Sequence, residues 1–364
     1  MKTLLANRAL LGQAARLVIK VGSSSLTKNG ALNEPALAAL VDVVGAAHAR
    51  GQEVVLVSSG AVAAGLAPLG FASRPKLLRD QQAASMVGQV RLLAAYTREF
   101  SRYGITIGQV LLTPEDVLNR SHYANAQGSL RRLLHHGVVP IVNENDAVVT
   151  GELRFGDNDR LAALTAHLVD ATALILCTDV DGLYTAPPSE PGAELITEVT
   201  SLSQVKSLVI TGKGSDVGTG GMRTKVEAAK IAISGGVGAL VTSAQNLASA
   251  LNGDPVGTWF VPQGKRQRAR DLWLKNVAQA RGSLVVDDGA AAVVRAGGAS
   301  LLCVGVTEVR GAFARGALVR IVDPHGEEVG RGLVGYSSAD VRKFLDDGGR
   351  APRPVVHADD LVRR

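Results

Sequence analysis

Between Leu17 and about Asp254 the chain alternates short apolar runs with longer stretches of helical spacing, and this alternation narrows its possible folds more than any other feature. The runs Leu17–Val21, Glu53–Ser58, Thr106–Leu112, Val138–Asn143, Ala173–Cys177 and Gly238–Thr242 are mostly uninterrupted, as strands buried on both faces require. Between them, Pro35–Arg50, Leu77–Phe100, Tyr123–His136, Arg160–Leu168 and Met222–Ser234 combine strong helix formers with apolar residues at helical spacing. Alternating β and α elements predict a mainly parallel sheet covered by helices. Aromatic residues are only 4% of the chain, so the core must be built from Ala, Val and Leu.

The pattern changes after Pro262. Gly264–Arg270 is short and strongly basic, as a linker or an exposed helix start would be. From Gly282 onward, short β-like runs such as Ser283–Val286, Leu301–Val304 and Leu318–Val322 are broken by Gly and Asp. The text predicts a large domain over 1–262, a linker over 263–280 and a small β-rich domain over 281–359. The polar, Pro-containing end, Asp346–Arg364, reads as a frayed tail.

Glycine and small hydroxyl residues gather where strands end and helices begin, the edge at which parallel sheets collect ligands. In VIKVGSSS, Lys20 ends a strand and Gly22 follows. That is either a polar turn after an exposed lysine or a phosphate cradle with a mobile cation. In VSSG, Ser59 either caps the next helix or donates to a bound carboxylate. VNENDAV sets Asn143, Asn145 and Asp146 after a buried strand, a density that favours a site able to read both ends of an amino acid. In FGDNDR, Asp157 or Asp159 could cap the helix that follows, Asn158 could bind a ligand, and Asp159 could orient a lysine. The two aspartates could also hold Mg2+ indirectly. CTDVDGLY places Thr178 and Asp179 after an apolar strand, ahead of an Asp181–Gly182 turn. GTGGMRTK leads consecutive glycines into a helix, whose first turns offer free amides, with Lys225 close behind.

Other chemistries lack their signatures. There is no GxxxxGK[ST] loop, no GxGxxG after the first strand, no HExxH and no GxSxG. The net charge of +6 is compatible with phosphate ligands or nucleic acid. Cys177 and Cys303 lie far apart in apolar text and read as reduced core residues. Asn7 and Arg8 interrupt the N-terminal apolar stretch and no apolar run is long enough for a membrane span, so a cytoplasmic protein is expected.

In the order and spacing of VIKVGSSSLT, VSSGAVAAG, VGQVRLL, VPIVNENDAV, FGDNDRLAAL, TDVDGLYT and GTGGMRTK, the chain resembles the amino-acid-kinase family and, within it, the glutamate 5-kinases. The first motif alone would mark only the wider family; NENDAV, GDND and GTGGMRTK narrow it. The resemblance implies an open αβα sandwich. It also implies transfer of phosphate from ATP, with Mg2+, to the side-chain carboxylate of L-glutamate, the first step of proline synthesis. Carried over residue by residue, Lys20 and Lys225 would stabilise the moving phosphoryl group and Asp159 would position them. Ser59, Asp146 and Asn158 would bind glutamate. Lys20, Thr178, Asp179 and the run Thr219, Gly220, Gly221, Met222, Arg223, Thr224 and Lys225 would bind ATP. GSLVVDDGA, GASLLCVGV, GAFARGALVRI and YSSADV resemble a PUA domain, a small β-barrel known from RNA-modifying enzymes. Pro187–Pro188 departs from the Asp-Pro pair common after GLYT, away from the matched site residues. A homo-oligomer and feedback inhibition by proline are implied by the family alone.

A carboxylate acceptor is already a nucleophile, so no general base is needed and no catalytic histidine is expected. The obstacle is bringing two anions together, which paired cations offset. The reading therefore requires Lys20 and Lys225 to share one cleft. Rival readings are an aspartate or acetylglutamate kinase on the same sandwich, an RNA-binding protein acting through its tail, and a sensor with a dead kinase domain.

Overall fold

The computed structural model describes residues 7–28, 31–149, 158–201, 203–206, 221–263, 271–272, 274 and 280–363. The chain divides into two units, Met1–Ala269 and Arg270–Arg364.

The first unit is built on eight strands: β1 (Arg16–Lys20), β2 (Glu53–Val57), β3 (Ile107–Leu112), β4 (Val139–Glu144), β5 (Ala173–Thr178), β6 (Glu198–Val199), β7 (Gly238–Ser243) and β8 (Thr258–Phe260). Their order across the sheet is β3-β4-β2-β1-β5-β7-β8-β6. The six long strands run parallel. β8 returns antiparallel to β7 and carries β6 alongside it. This reversed pair has no counterpart in the sequence reading, because three residues are too few to show a period. Burial of Trp259 and Phe260 holds it in place.

Helices α1 (Glu34–Ala49), α2 (Ala61–Leu66), α3 (Leu78–Ser101), α4 (Arg120–His135), α5 (Asn158–Leu168) and α6 (Met222–Ser234) connect the strands. α1 begins at an Asn33 side-chain cap with Pro35 in its first turn, a sequence-encoded start. Leu17, Ile19, Leu56 and Ile175 form one core with Leu37, Val41 and Val44 of α1 and Leu92, Tyr96 and Phe100 of α3. The alternate strand positions Val18, Val55 and Leu174 are equally buried, and α5 and α6 pack on β1, β5 and β7. Both faces of the central strands are thus covered, as the apolar runs required, while the edge strand β3 is mostly half-buried.

The order of the strands locates the site. From β1 the chain turns to β2 on one side; from β5, β1's other neighbour, it continues to β7 in the opposite direction. Such a reversal opens a crevice at the C-terminal ends of the two strands. The register aligns Lys20 with Val57 and with Leu176, so the segments after β1, β2 and β5 emerge at one level.

The second unit carries a five-stranded sheet of β9 (Gly282–Val286), β10 (Val306–Arg310), β11 (Leu318–Val322), β12 (Glu328–Val334) and β13 (Val356–Arg363), in the order β10-β9-β11-β12-β13. β9 and β11 pair in parallel and the other neighbours antiparallel. Leu284, Val319 and Ile321 pack with Val294 of α7 (Asp288–Ala296) and Val341 of α8 (Ser338–Asp346) in a core of their own. Two expectations are corrected. Leu301–Val304 is not a strand: Leu301 makes one bridge to Val356, and Cys303–Gly305 forms a 3-10 turn. The stretch Val356–Arg363 does not fray but forms β13, whose backbone pairs with β12; Val356, its first residue, and Val355 before it are buried. The basic Gly264–Arg270 stretch lies outside the described residues.

Candidate active site

Lys20 closes β1 and is only 4% exposed, so the reading of an exposed lysine after a strand does not hold. Its ammonium lies 2.6 Å from Oδ1 of Asp159, in the first turn of α5. Lys225, in the first turn of α6, is also buried and donates to Asp159 Oδ2 at 3.3 Å. Thr224 Oγ1 donates to the same oxygen at 2.8 Å. Residues far apart in sequence thus converge on one carboxylate, and the Arg160–Glu227 ion pair, 2.5 Å long, ties α5 to α6 beside them.

Asp159 is fully buried. Burial alone would push its carboxyl up; the ammonium groups of Lys20 and Lys225, with hydrogen bonds from Lys20 and Thr224, outweigh burial and hold it below the usual carboxylate range. Two ammonium groups against one carboxylate leave a net positive charge at the crevice. α6 adds to it with the positive end of its dipole: its N-cap is Gly221, which supplies no side-chain cap.

A second set of groups gathers around Asn158. Its Nδ2 lies 2.8 Å from the Ser58 carbonyl, 3.0 Å from Ser59 Oγ and 2.8 Å from Asn143 Oδ1. Ser59 is therefore not the cap of α2. That place belongs to Gly60, whose φ of 98° is left-handed and suits glycine. Asn143 is the penultimate residue of β4 and is buried, so the NENDAV segment reaches this cluster through its first asparagine. Asp146 accepts from Ser85 Oγ at 2.8 Å.

Thr178 ends β5, next to β1, and its hydroxyl donates to Asp179 at 3.0 Å; Asp179 is exposed. The register puts Thr178 at the same edge of the sheet as Lys20. Thr219, Gly220 and Asp157 lie outside the described residues. Gly221, Met222, Arg223, Thr224 and Lys225 form the cap and opening turn of α6.

The motifs contain Ser58 without singling it out, and do not extend to Ser85 or Tyr96. The Tyr96 hydroxyl, fully buried on α3, lies 3.1 Å from Ser58 Oγ. Ser85 and Tyr96 are eleven residues apart, about three helical turns, which puts them within about 20° on the same face. That periodicity is the signal that could have linked them.

The model of the amino acid kinase family matches residues 15–243, and that of the PUA domain matches residues 282–355. The chain is 50% identical to the glutamate 5-kinase of Bifidobacterium animalis subsp. lactis, over 98% of this chain and 97% of the relative. It is 50% identical to that of Thermobifida fusca, covering 98% and 95%, and 48% identical to that of Streptomyces coelicolor, covering 98% of each. Among solved structures, carbamate kinase from Giardia lamblia bound to AMP-PNP aligns over 69% of this chain and 100% of its own, with a TM-score of 0.51 at 17% identity, a likeness of fold. The chain belongs to the amino acid kinase family and, within it, to the glutamate 5-kinases that carry a C-terminal PUA domain.

Proposed function

We propose that Lys20 and Lys225, held by Asp159, carry the catalytic step of this glutamate 5-kinase. The enzyme transfers the γ-phosphoryl group of ATP to the side-chain carboxylate of L-glutamate, giving L-glutamyl 5-phosphate and ADP, the opening step of proline biosynthesis. A carboxylate oxygen forms the new P–O bond as the bond to the ADP oxygen breaks. No proton has to be removed from the acceptor.

The observation that carries the reading is the Asp159 carboxylate shared by two buried lysines at the crevice between β1 and β5. Preorganised cations there oppose the repulsion between donor and acceptor and meet the charge that grows on the transferring oxygens. Asp159 does not act as a base: its oxygens are engaged by Lys20, Lys225 and Thr224. The uncapped start of α6, with Thr178 and Asp179 at the end of β5, suits the nucleotide. Ser59, Asn158 and Asp146, with Asn143, suit glutamate, the amide and hydroxyl meeting carboxylate oxygens and Asp146 the ammonium.

Mg2+ would arrive as a companion of the nucleotide and not as a ligand of Asp159, because the oxygens of Asp159 already have protein partners. When bound it neutralises charge on the β- and γ-phosphates. The two cysteines are free and buried, which suits a cytoplasmic enzyme.

The test is ADP release with ATP, Mg2+ and a panel of acidic amino acids, with hydroxylamine added to trap an acyl phosphate as the hydroxamate. L-glutamate should give both ADP and hydroxamate. Preference for aspartate or N-acetylglutamate, or ADP without hydroxamate, would overturn the assignment of the acceptor.

A further inference from the structure

α3 does more than cover the sheet. Three polar side chains on its length reach the segments that follow β2 and β4. Gln82 Nε2 donates to the Val149 carbonyl at 3.2 Å, Ser85 Oγ donates to Asp146 Oδ2 at 2.8 Å, and Tyr96 meets Ser58 Oγ at 3.1 Å. Ser85 is 2% exposed, so its hydroxyl has little access to water and the bond to Asp146 replaces solvation.

The place of Ser85 along the site is fixed by backbone contact. A Cβ added at Gly88 would stand 1.7 Å from the Ala61 carbonyl oxygen, and one at Gly65 would stand 1.8 Å from that of Ala84. α2 and α3 therefore touch main chain to main chain at Ala84, next to Ser85, and at Gly88, about one turn beyond it. The helix cannot shift without breaking this contact, and the hydroxyl is presented to Asp146 from a rigid support.

We propose that Ser85 is a positioning residue for acceptor recognition: it holds one carboxylate oxygen of Asp146 so that the other is available, in a fixed orientation, to the ammonium group of the amino-acid substrate. The inference rests on the reading of Asp146 as the ammonium-binding residue and extends it to a residue on a different element. A carboxylate freed of this bond could rotate about its own side-chain torsions, and substrate binding would then have to order it. The loss falls on binding of the acceptor, not on phosphoryl transfer and not on the nucleotide.

The experiment is a double-mutant cycle on the full-length enzyme with Ser85→Ala, Asp146→Ala and the pair, measuring kcat and the KM values for L-glutamate and ATP. Ser85→Ala is expected to raise the glutamate KM about tenfold, the range of a hydrogen bond to a charged group, with kcat and the ATP KM within about twofold. On the Asp146→Ala background it should add less than about twofold, because the carboxylate it acts through is gone. A further tenfold rise on that background, an unchanged glutamate KM, or a fall confined to kcat would overturn the positioning role while leaving Asp146 in place. If Asp146→Ala itself leaves the glutamate KM unchanged, the reading of Asp146 fails instead. Ser85→Cys, nearly the same size but a weak donor, covers the case in which the alanine variant does not fold: it should lie between wild type and a full tenfold loss, and a glutamate KM equal to wild type would count against the proposal.

Discussion

Lys20 and Asp159 form an ion pair 2.6 Å long in which the lysine side chain is 5% exposed and the aspartate not at all. Breaking a buried pair from one side leaves an uncompensated charge, at a cost of about 3–5 kcal/mol. Asp159→Asn strands two ammonium groups at once, so its loss of stability at neutral pH should be at least of that order. The folded-state pKa of Asp159 is depressed, so its contribution is present above the unfolded carboxyl value of about 4 and is lost as pH falls through the lower folded value. Urea unfolding of wild type and variant should show a wide gap at pH 7 that narrows below pH about 4. A gap of constant width would remove the ionised carboxylate as its source.

Lys20→Ala and Lys225→Ala should each lower kcat by roughly 10²–10³, the scale for losing one preorganised donor to developing charge. The glutamate KM should change far less, since Asn158 bonds to Ser58, Ser59 and Asn143, and Asp146 to Ser85. Steady-state kinetics check this, and turnover that is unaffected in both variants would take the lysines out of the catalytic step.

Much of this site was legible because its chemistry sits at element boundaries. Lys20, Ser59, Thr178 and Lys225 each follow an apolar strand or open a helix, where glycine and hydroxyl residues are conspicuous. The parallel core of the sheet was legible for the same reason: strands buried on both faces leave unbroken apolar runs. What escaped lacks any local pattern. β8 is three residues long, and β13 is held by backbone pairing more than by its own apolar content. Ser85 and Tyr96 are single polar residues inside the 24-residue helix α3, and only the folded chain brings them to Asp146 and Ser58. The hydroxyl of Thr224 belongs to the same class: its motif pointed to nucleotide, while its contact is with Asp159, 65 residues away.

Cys177 provides a test of how dry the floor of the site is. It follows Leu176, the register partner of Lys20, and is buried completely, which pushes its thiol up to about 12 against the smaller opposing pull of Lys20 and Lys225. Since the thiolate is the reactive form, Cys177 should resist a maleimide or a disulfide reagent at pH 8 in the folded enzyme and react once guanidinium unfolds it. Counting thiols before and after denaturation reads this directly. Rapid labelling of Cys177 in the native state would mean that water reaches the strand beneath the lysines.

Two glycines on neighbouring helices should answer oppositely to the same substitution. Gly128 lies inside α4 with nothing within 4 Å of an added Cβ. Gly128→Ala should therefore stabilise the enzyme by about 0.5–1 kcal/mol, the helix-propensity difference between the residues. Gly88 has the same advantage in principle, but its Cβ would stand 1.7 Å from a carbonyl oxygen of α2, and backbone cannot step aside as a flexible side chain can. Overpacking of this kind costs about 1–3 kcal/mol or more, which exceeds the propensity gain, so Gly88→Ala should destabilise. Because Ser85 lies one turn away and reaches Asp146, the same substitution should also raise the glutamate KM, an effect Gly128→Ala should not share. Thermal unfolding together with glutamate kinetics on the two variants checks both signs, and a stabilising Gly88→Ala would show that α2 and α3 are free to move apart.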